Sequence, residues 1–392
     1  MGDSYRDWSS GLPKEILEKM GSHLDSRVDV FRFRAVCSSW RSSVPASYRR
    51  TTALPIMLPP PTTADAFFSQ VSICCLNRSA PSTAIGLTKV EESTRGEMQL
   101  LSPLSNHQIA GPNPLPKYIN MLEFGLVELE RAYTVKLARG CSVFGISKVL
   151  LHPFTSASWV DASSRDYGLL ALFHEGKLGY WRFGDDKWTL LDKQSFHYDD
   201  IIACKGQFYV VDRCGVVWWI DSGLNLVQYA PPLFGCGKMK NLVHSCGDLY
   251  VVDRYIDGEQ RTRHEDEDTR IYLQMNSDIP RLYRRNYHAH RAHTVDVKVY
   301  KLDEEWGTWV DVSSLDDRVF VLGRECSFSI STDDFPGSEG NCIYFTDPVD
   351  VDLTGELSGY NARVFRFVDH RIGKASSLVS ESPLFWQSRV HT

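Results

Sequence analysis

Gly206-Gln207-Phe208-Tyr209-Val210-Val211-Asp212 recurs as Gly247-Asp248-Leu249-Tyr250-Val251-Val252-Asp253, 41 positions later. Each copy reads as a glycine turn, a short β-branched and aromatic run, and an aspartate that opens the next turn. Asn341-Cys342-Ile343-Tyr344-Phe345-Thr346-Asp347 is a third copy, 94 positions further on. Around the first copy, Ile201 to Cys204, Phe208 to Val211, Val216 to Ile220 and Leu224 to Tyr229 are four apolar runs. Turns at Lys205-Gly206-Gln207, Asp212 to Gly215 and Asp221 to Gly223 separate them. Such a four-stranded meander is the content of one propeller blade.

A second signature is a strand, a charged turn and a tryptophan: Phe183-Gly184-Asp185-Asp186-Lys187-Trp188 and Leu302-Asp303-Glu304-Glu305-Trp306. These tryptophans lie 118 positions apart, close to three units of roughly 40 residues. The interval of 94 fits two units plus an insertion. One such sheet cannot cover both its faces, and radial stacking does so while leaving only short edges. The expectation for residues 66–392 is an all-β propeller of six to eight blades, seven favoured. The tyrosine three residues before each aspartate is expected to pack between blades with its hydroxyl bonded to a turn. Asp212, Asp253 and Asp347 are expected to bond local backbone.

Residues 257–293 interrupt the pattern. DGEQRTRHEDEDTR is charged throughout, and RLYRRNYHAHRAH follows. This composition resists burial and reads as an exposed, partly disordered insertion between strands. Arg281, Arg284, Arg285 and Arg291 interleave with Tyr283 and Tyr287, but the neighbouring acidic run opposes nucleic-acid binding. His288, His290 and His293 lack a nearby carboxylate or cysteine to complete a closed metal set.

The N-terminal stretch is different in kind. Leu12 to Arg41 reads as a compact helical module. Pro13 stands where a first helical turn begins. Ile16, Leu17, Met20 and Leu24 recur at helical spacing, and Gly21 loosens the end of that helix. Ser26 followed by Asp29 resembles a capping box for a second helix. Val36, Trp40 and Val44 form a third stripe, which Pro45 ends. A module of roughly 40 residues is at the lower limit for burying its own core, so leftover apolar surface points to a partner. Pro55, Pro59, Pro60 and Pro61 then mark residues 46–65 as an extended linker. Its apolar positions, Leu54, Ile56, Met57 and Leu58, point to a segment lying against the next domain or forming an edge strand. The architecture expected is thus α+β and multidomain: three helices over residues 8–45, a linker, and the β body.

Leu12-Pro13, Glu15-Ile16-Leu17, Leu24, Arg32-Phe33-Arg34-Ala35-Val36-Cys37 and Trp40-Arg41 resemble the F-box. Glu15 and Ile16 replace its commoner Asp and Leu, and Gly11 adds a residue before Leu12-Pro13. Asp199 to Arg213, Lys240 to Tyr255 and Gly323 to Pro348 resemble the KIB-type domain, a kelch-like propeller found behind the F-box in a large plant family. The likeness is clear from about residue 143 to 367 and thin from 64 to 142. It implies a non-catalytic substrate receptor of an SCF-type ubiquitin ligase. The box would hold the Skp adaptor and through it cullin, and the propeller would capture an unidentified protein target. Adaptor-binding residues implied are Leu12, Pro13, Ile16, Leu17, Met20, Leu24, Val28, Val36, Cys37 and Trp40. Target-binding residues are not located.

Other classes find less support. A net charge of −6 over 392 residues gives no global pull toward nucleic acid or anionic membrane. No apolar run is long enough to span a bilayer, and MGDSYRDWSS lacks a signal-peptide core. Ten cysteines occur without CxxC pairs, which fits a reducing compartment, cytoplasm and/or nucleus. GxSxG, Walker and HExxH motifs are absent, and Gly235-Cys236-Gly237-Lys238 reads as a turn. No cofactor, metal or catalytic residue is expected. A propeller enzyme or sugar binder, and a receptor that blocks its target without ubiquitylating it, remain the alternatives.

Overall fold

The computed structural model describes residues 12–24, 27–45, 54–56, 66–79, 82–92, 98–104, 124–137, 146–153, 167–173, 176–191, 197–233, 235–257, 293–335, 338–347 and 362–374. Three helices precede a β body. The first sheet holds β1 (Leu54–Ile56), β2 (Ala66–Ser79), β3 (Ser82–Glu92), β4 (Met98–Leu101) and β5 (Phe124–Leu137), in the spatial order β4-β3-β2-β5 with β1 along β2. The second holds β6 (Ile146–Pro153), β7 (Tyr167–Phe173), β8 (Leu178–Arg182) and β9 (Thr189–Leu190). A single residue pair, Tyr133 opposite Val149, joins it to the first.

The third sheet, β10 (Tyr198–Cys204), β11 (Gln207–Asp212), β12 (Val217–Ile220) and β13 (Leu226–Ala230), is the meander read from the sequence. The fourth repeats it with β14 (Met239–Ser245), β15 (Asp248–Asp257), β16 (His293–Asp303) and β17 (Thr308–Asp311). The fifth holds β18 (Arg318–Leu322), β19 (Ser327–Ser331), β20 (Cys342–Thr346), β21 (Ala362–Arg366) and β22 (Arg371–Lys374). Its order is β19-β18-β20-β21-β22, with β18 and β20 parallel.

Turn chemistry explains the repeat. Lys205 and Gly206 both have positive φ, as do Cys246 and Gly247. Each pair closes a two-residue hairpin, between Cys204 and Gln207 and between Ser245 and Asp248. Two positive φ values in succession are what a type I′ turn needs, and glycine meets that need without strain. Asn341, aligned with those glycines, also has positive φ. The third copy nevertheless occupies a different place. β20 is third from the inner edge of its sheet, with β18 between it and β19, whereas β11 and β15 are second.

The sheets close a ring. Phe68 and Val135 of the first sheet pack on Tyr167, Leu169 and Trp181 of the second. Leu170 and Leu172 of the second meet Ile201 and Val210 of the third, and Tyr209 and Val211 meet Leu242 and Val251 of the fourth. Val252 and Val299 meet Phe320 and Phe345 of the fifth. Val321, Phe328 and Tyr344 return to Ile73 and Leu87 of the first. A sheet covered on both faces can be apolar at successive positions, and every residue of β7 is buried.

Among the described residues there are five such sheets, against an expectation of six to eight with seven favoured. The described strands place the repeat copies differently from the interval reading. The interval of 94 between repeats is a single step, from the fourth sheet to the fifth, because residues 258–292 add chain without adding a described strand. Trp306 also misled. It is 75% exposed on the β16–β17 turn, while Trp188 is buried against Phe173 and Trp181. The tryptophan that packs on that later hairpin is Trp309, whose Nε1 donates to the Pro231 carbonyl at 2.8 Å.

The tyrosines do pack between sheets. Tyr250 meets Phe320 of the next sheet edge-on at 5.3 Å. Tyr209 bonds Tyr229 of its own sheet rather than a turn. β1 is the edge strand expected of the linker, although the rest of residues 46–65 lies outside the described residues. So do residues 258–292, with His288 and His290. The flanks of that insertion are placed: Asp257 lies opposite His293 at the end of the β15–β16 pair. The ends of the insertion are therefore held by the hairpin itself. Replacing residues 259–290 by a short Gly/Ser turn should leave the melting temperature almost unchanged, since loop closure changes by only about 0.6 kcal/mol per doubling of length. A fall of many degrees in calorimetry would mean that the insertion packs on the blades.

Candidate functional site

The helical module comprises α1 (Lys14–Ser22), α2 (Arg27–Val36) and α3 (Ser38–Ser43). Pro13 is the residue before α1, and its carbonyl accepts the Ile16 and Leu17 N–H groups. Leu17, Val30, Phe33 and Val44 form the module's core, with Leu12, Leu24 and Trp40 packed against it. Phe33 and Trp40 have ring centroids 4.5 Å apart. Gly21 lies in the last turn of α1 and has a packing role. A Cβ there would stand 2.3 Å from Val44 Cγ2, so glycine is what lets the chain after α3 approach. Arg34 donates to the carbonyls of Arg41 and Val44, satisfying groups that the short α3 leaves open. The expected single stripe of Val36, Trp40 and Val44 is broken at Cys37, whose extended backbone separates α2 from α3. Ser26 lies outside the described residues, and Asp29 pairs with Arg32 at 3.1 Å.

Another side of the module is fixed to the β body. Val28 is buried among Cys74, Leu76, Val90 and Leu126 of the first sheet. Arg32 donates to the Leu126 carbonyl. The ten residues expected to meet a partner therefore divide. Pro13, Ile16, Met20 and Val36 are exposed, and Leu12, Leu24, Cys37 and Trp40 are half-buried. Leu17, at 1% exposure, and Val28, at 7%, face the chain's own interior. The stripe on α1 is two faces about one residue apart: Leu17 and Gly21 turn inward, while Pro13, Ile16 and Met20 turn outward.

At the centre of the ring lies a cavity of about 330 Å³, bordered by β5, β6, β10, β14, β18 and β19. Leu150, Leu151, Ile202 and Phe328 give it apolar walls, and Glu130, Lys148, His244 and Ser327 give it polar ones. Ser245 donates to Ser329 Oγ at 2.8 Å. Burial pushes the Cys326 thiol up to about 12, so it stays protonated.

Charged links that sequence reading missed tie the sheets around this cavity. Lys148 of the second sheet meets Asp200 of the third at 2.7 Å. Asp200 also accepts the Leu242 N–H of the fourth sheet, and Asp199 accepts the Lys240 N–H. Arg254 of the fourth donates to the Thr346 carbonyl of the fifth at 2.8 Å, and Asp347 accepts the Thr294 N–H. Lys89 of the first reaches Glu325, beside the fifth, at 3.1 Å. Of the repeat aspartates, Asp212 keeps to the local backbone and Trp218 Nε1. Asp253 is held instead by Lys240 at 3.1 Å, and Asp347 by Arg363 at 2.9 Å. Gly235 and Gly237 lie in the segment leading into β14, where they leave space: a Cβ on either would stand 2.1 Å from an Asp253 carboxylate oxygen. Among the described residues no group of three His, Cys, Asp or Glu could hold a metal. No described helix is long and apolar enough to cross a membrane.

Residues 72–366 match the KIB1-4 beta-propeller family. F-box protein SKIP23 of Arabidopsis thaliana is 32% identical over 398 residues, covering 97% of this chain and 94% of its own. The chain belongs to the plant F-box proteins that carry a KIB-type propeller. Two further Arabidopsis thaliana relatives agree. F-box protein At2g17690 is 27% identical, over 87% of this chain and 91% of its own. F-box protein At4g35733 is 28% identical, over 88% and 90%. In this F-box protein the propeller match begins inside β2 and ends with β21, so the three helices lie outside it.

One seam of the F-box protein's propeller should titrate. Burial pushes the Asp199 carboxyl up to about 7, against the opposing pull of Arg213 and Lys240. Its folded pKa exceeds the unfolded value of about 3.9, so the folded state holds the proton more tightly. The stabilisation this gives is complete below about pH 4 and lost as pH rises through about 7. Asp199→Asn is neutral throughout and keeps an oxygen for the Lys240 N–H. It should raise the melting temperature at pH 8, with a gain that vanishes by about pH 4. A gain independent of pH would contradict this.

Proposed function

We propose that this chain is a substrate receptor of an SCF-type ubiquitin ligase. The carrying observation is the outward face of α1. Ile16 is 45% exposed and Met20 40%, one turn apart, on a module otherwise anchored to the propeller by Val28 and Arg32. Large apolar residues left together on a surface fit a partner. The F-box name of the relatives supports the Skp adaptor as that partner, and through it cullin. Pro13, Ile16, Met20 and Val36 form the contact, and the half-buried Leu12, Leu24, Cys37 and Trp40 border or support it.

The rigid ring then holds a protein target. The work is tethering: a bound target's lysines meet the ubiquitin-charged enzyme at high effective concentration, without chemistry by this chain. Such a receptor acts in the cytoplasm and/or nucleus. The test is reconstitution. The purified full chain, a plant Skp adaptor and cullin should co-elute as one complex in size-exclusion chromatography. Separate elution of the chain under the same conditions would refute the proposal.

A further inference from the structure

The charges around the central cavity do not all cancel. Arg131 meets Glu128 at 2.7 Å, Lys148 meets Asp200 at 2.7 Å, and Glu325 meets Lys89 at 3.1 Å. Arg318 meets Asp317 at 3.8 Å. Glu130 has no such partner among the described residues. Its carboxylate accepts the Arg131 backbone N–H at 3.3 Å. Glu130 and its neighbour Leu129 are exposed, so they stand where the cavity meets solvent.

Deeper in the cavity are polar atoms with nothing to bond. Ser327 is 6% exposed, and its Oγ is buried without a hydrogen-bond partner. His244 Nε2 is likewise buried and unpartnered. Buried polar groups in folded proteins are normally satisfied, and an orphan in a cavity wall is available to a ligand. Leu150, Ile202 and Phe328 give the wall its apolar part, beside the ion-paired Arg131, Lys148, Arg318 and Glu325. The volume of about 330 Å³ is at the lower end for small-ligand pockets.

We propose that this cavity receives a cationic head on a short apolar stem, an ammonium or guanidinium group paired with Glu130. Ser327 Oγ and, in the tautomer protonated on Nδ1, His244 Nε2 accept its N–H groups, and the apolar wall takes the stem. Two sources offer this chemistry: a free small amine, or the lysine or arginine side chain of a captured protein. The second rests on the receptor reading; the pocket itself does not.

The experiment is isothermal titration calorimetry on the full chain with agmatine, with the capped tripeptide acetyl-Ala-Arg-Ala-amide, and with glutarate. Agmatine and the tripeptide should each bind saturably at one site, and glutarate should not. Tighter binding of the tripeptide assigns the site to a protein side chain; tighter binding of agmatine assigns it to a free amine. Glu130→Gln, which keeps size and removes charge, should weaken both cations by about tenfold or more. Ala203→Phe, on the exposed part of the cavity wall, should abolish their binding by filling space. Both positions are exposed, and melting curves confirm that the variants fold. Absence of saturable cation binding, preference for glutarate, or unchanged affinity in Glu130→Gln overturns the proposal. Co-elution of the same variants with the Skp adaptor is read alongside. Its loss in the unaltered chain refutes the receptor reading alone, whereas the titrations refute the pocket alone.

Discussion

Lys240→Met should cost the propeller about 3–5 kcal/mol of unfolding free energy, the scale for removing one partner of a buried ion pair. Lys240 and Asp253 are both 0% exposed and lie opposite each other across β14 and β15. Lys240 Nζ also donates to the Gly237 carbonyl at 2.8 Å. Methionine fills nearly the same space, so the cost is not a cavity. It is a carboxylate left without a countercharge and without water. Gly235 and Gly237 press on that carboxylate with no side chain of their own, so this segment has no means of replacing the ammonium. Adding Asp253→Asn removes the stranded charge and keeps an acceptor for the Gly237 N–H. The double variant should recover most of the loss, and urea titrations of the four proteins in the cycle give the coupling directly. A loss under about 1 kcal/mol in the single variant would mean that water reaches the pair.

How much of this was visible in the residues depends on sequence distance. The third sheet and the first hairpin of the fourth were legible because each is local and carries its own glycine, at 206 and 247. The inter-sheet tyrosine pattern was legible because it repeats. The fifth sheet was not, because β18 and β20 pair directly in parallel although β19 lies between them in the chain, which local periodicity does not encode. The seam charges were also hidden. Lys148 and Asp200 are 52 positions apart, and Lys89 and Glu325 are 236 apart. Nothing about an isolated lysine in a strand announces that a neighbouring sheet will bury it.

The helical module shows the same limit at shorter range. Its apolar residues and their order were plain, but periodicity alone does not say which half of a stripe faces the chain. Leu17 and Ile16 are adjacent and equally apolar, yet one is 1% exposed and the other 45%. The difference comes from Val44, Phe33 and Val30 closing over one side of α1, and that closure needs Gly21 to be small. The central cavity lay furthest from view, since six strands from all five sheets supply its wall.

The largest functional effect is expected at the outward face of α1. Ile16→Glu with Met20→Glu puts two carboxylates where two apolar side chains would be desolvated by the adaptor. Each buried apolar side chain of this size contributes about 1.5–3 kcal/mol, and burying an unpaired charge opposes binding further. Affinity for the Skp adaptor should therefore fall by about a hundredfold or more. Both positions are already in water in the free chain, so the melting temperature should stay within about 2 °C of the parent, the range of ordinary surface substitutions. The most direct measurement is calorimetric titration of the full chain and of this double variant with the purified adaptor. Tight binding by the parent and none by the double variant, at unchanged melting temperature, is the result expected. Equal affinity in the two proteins would contradict the placement of the adaptor on this face and with it the proposed architecture of the receptor.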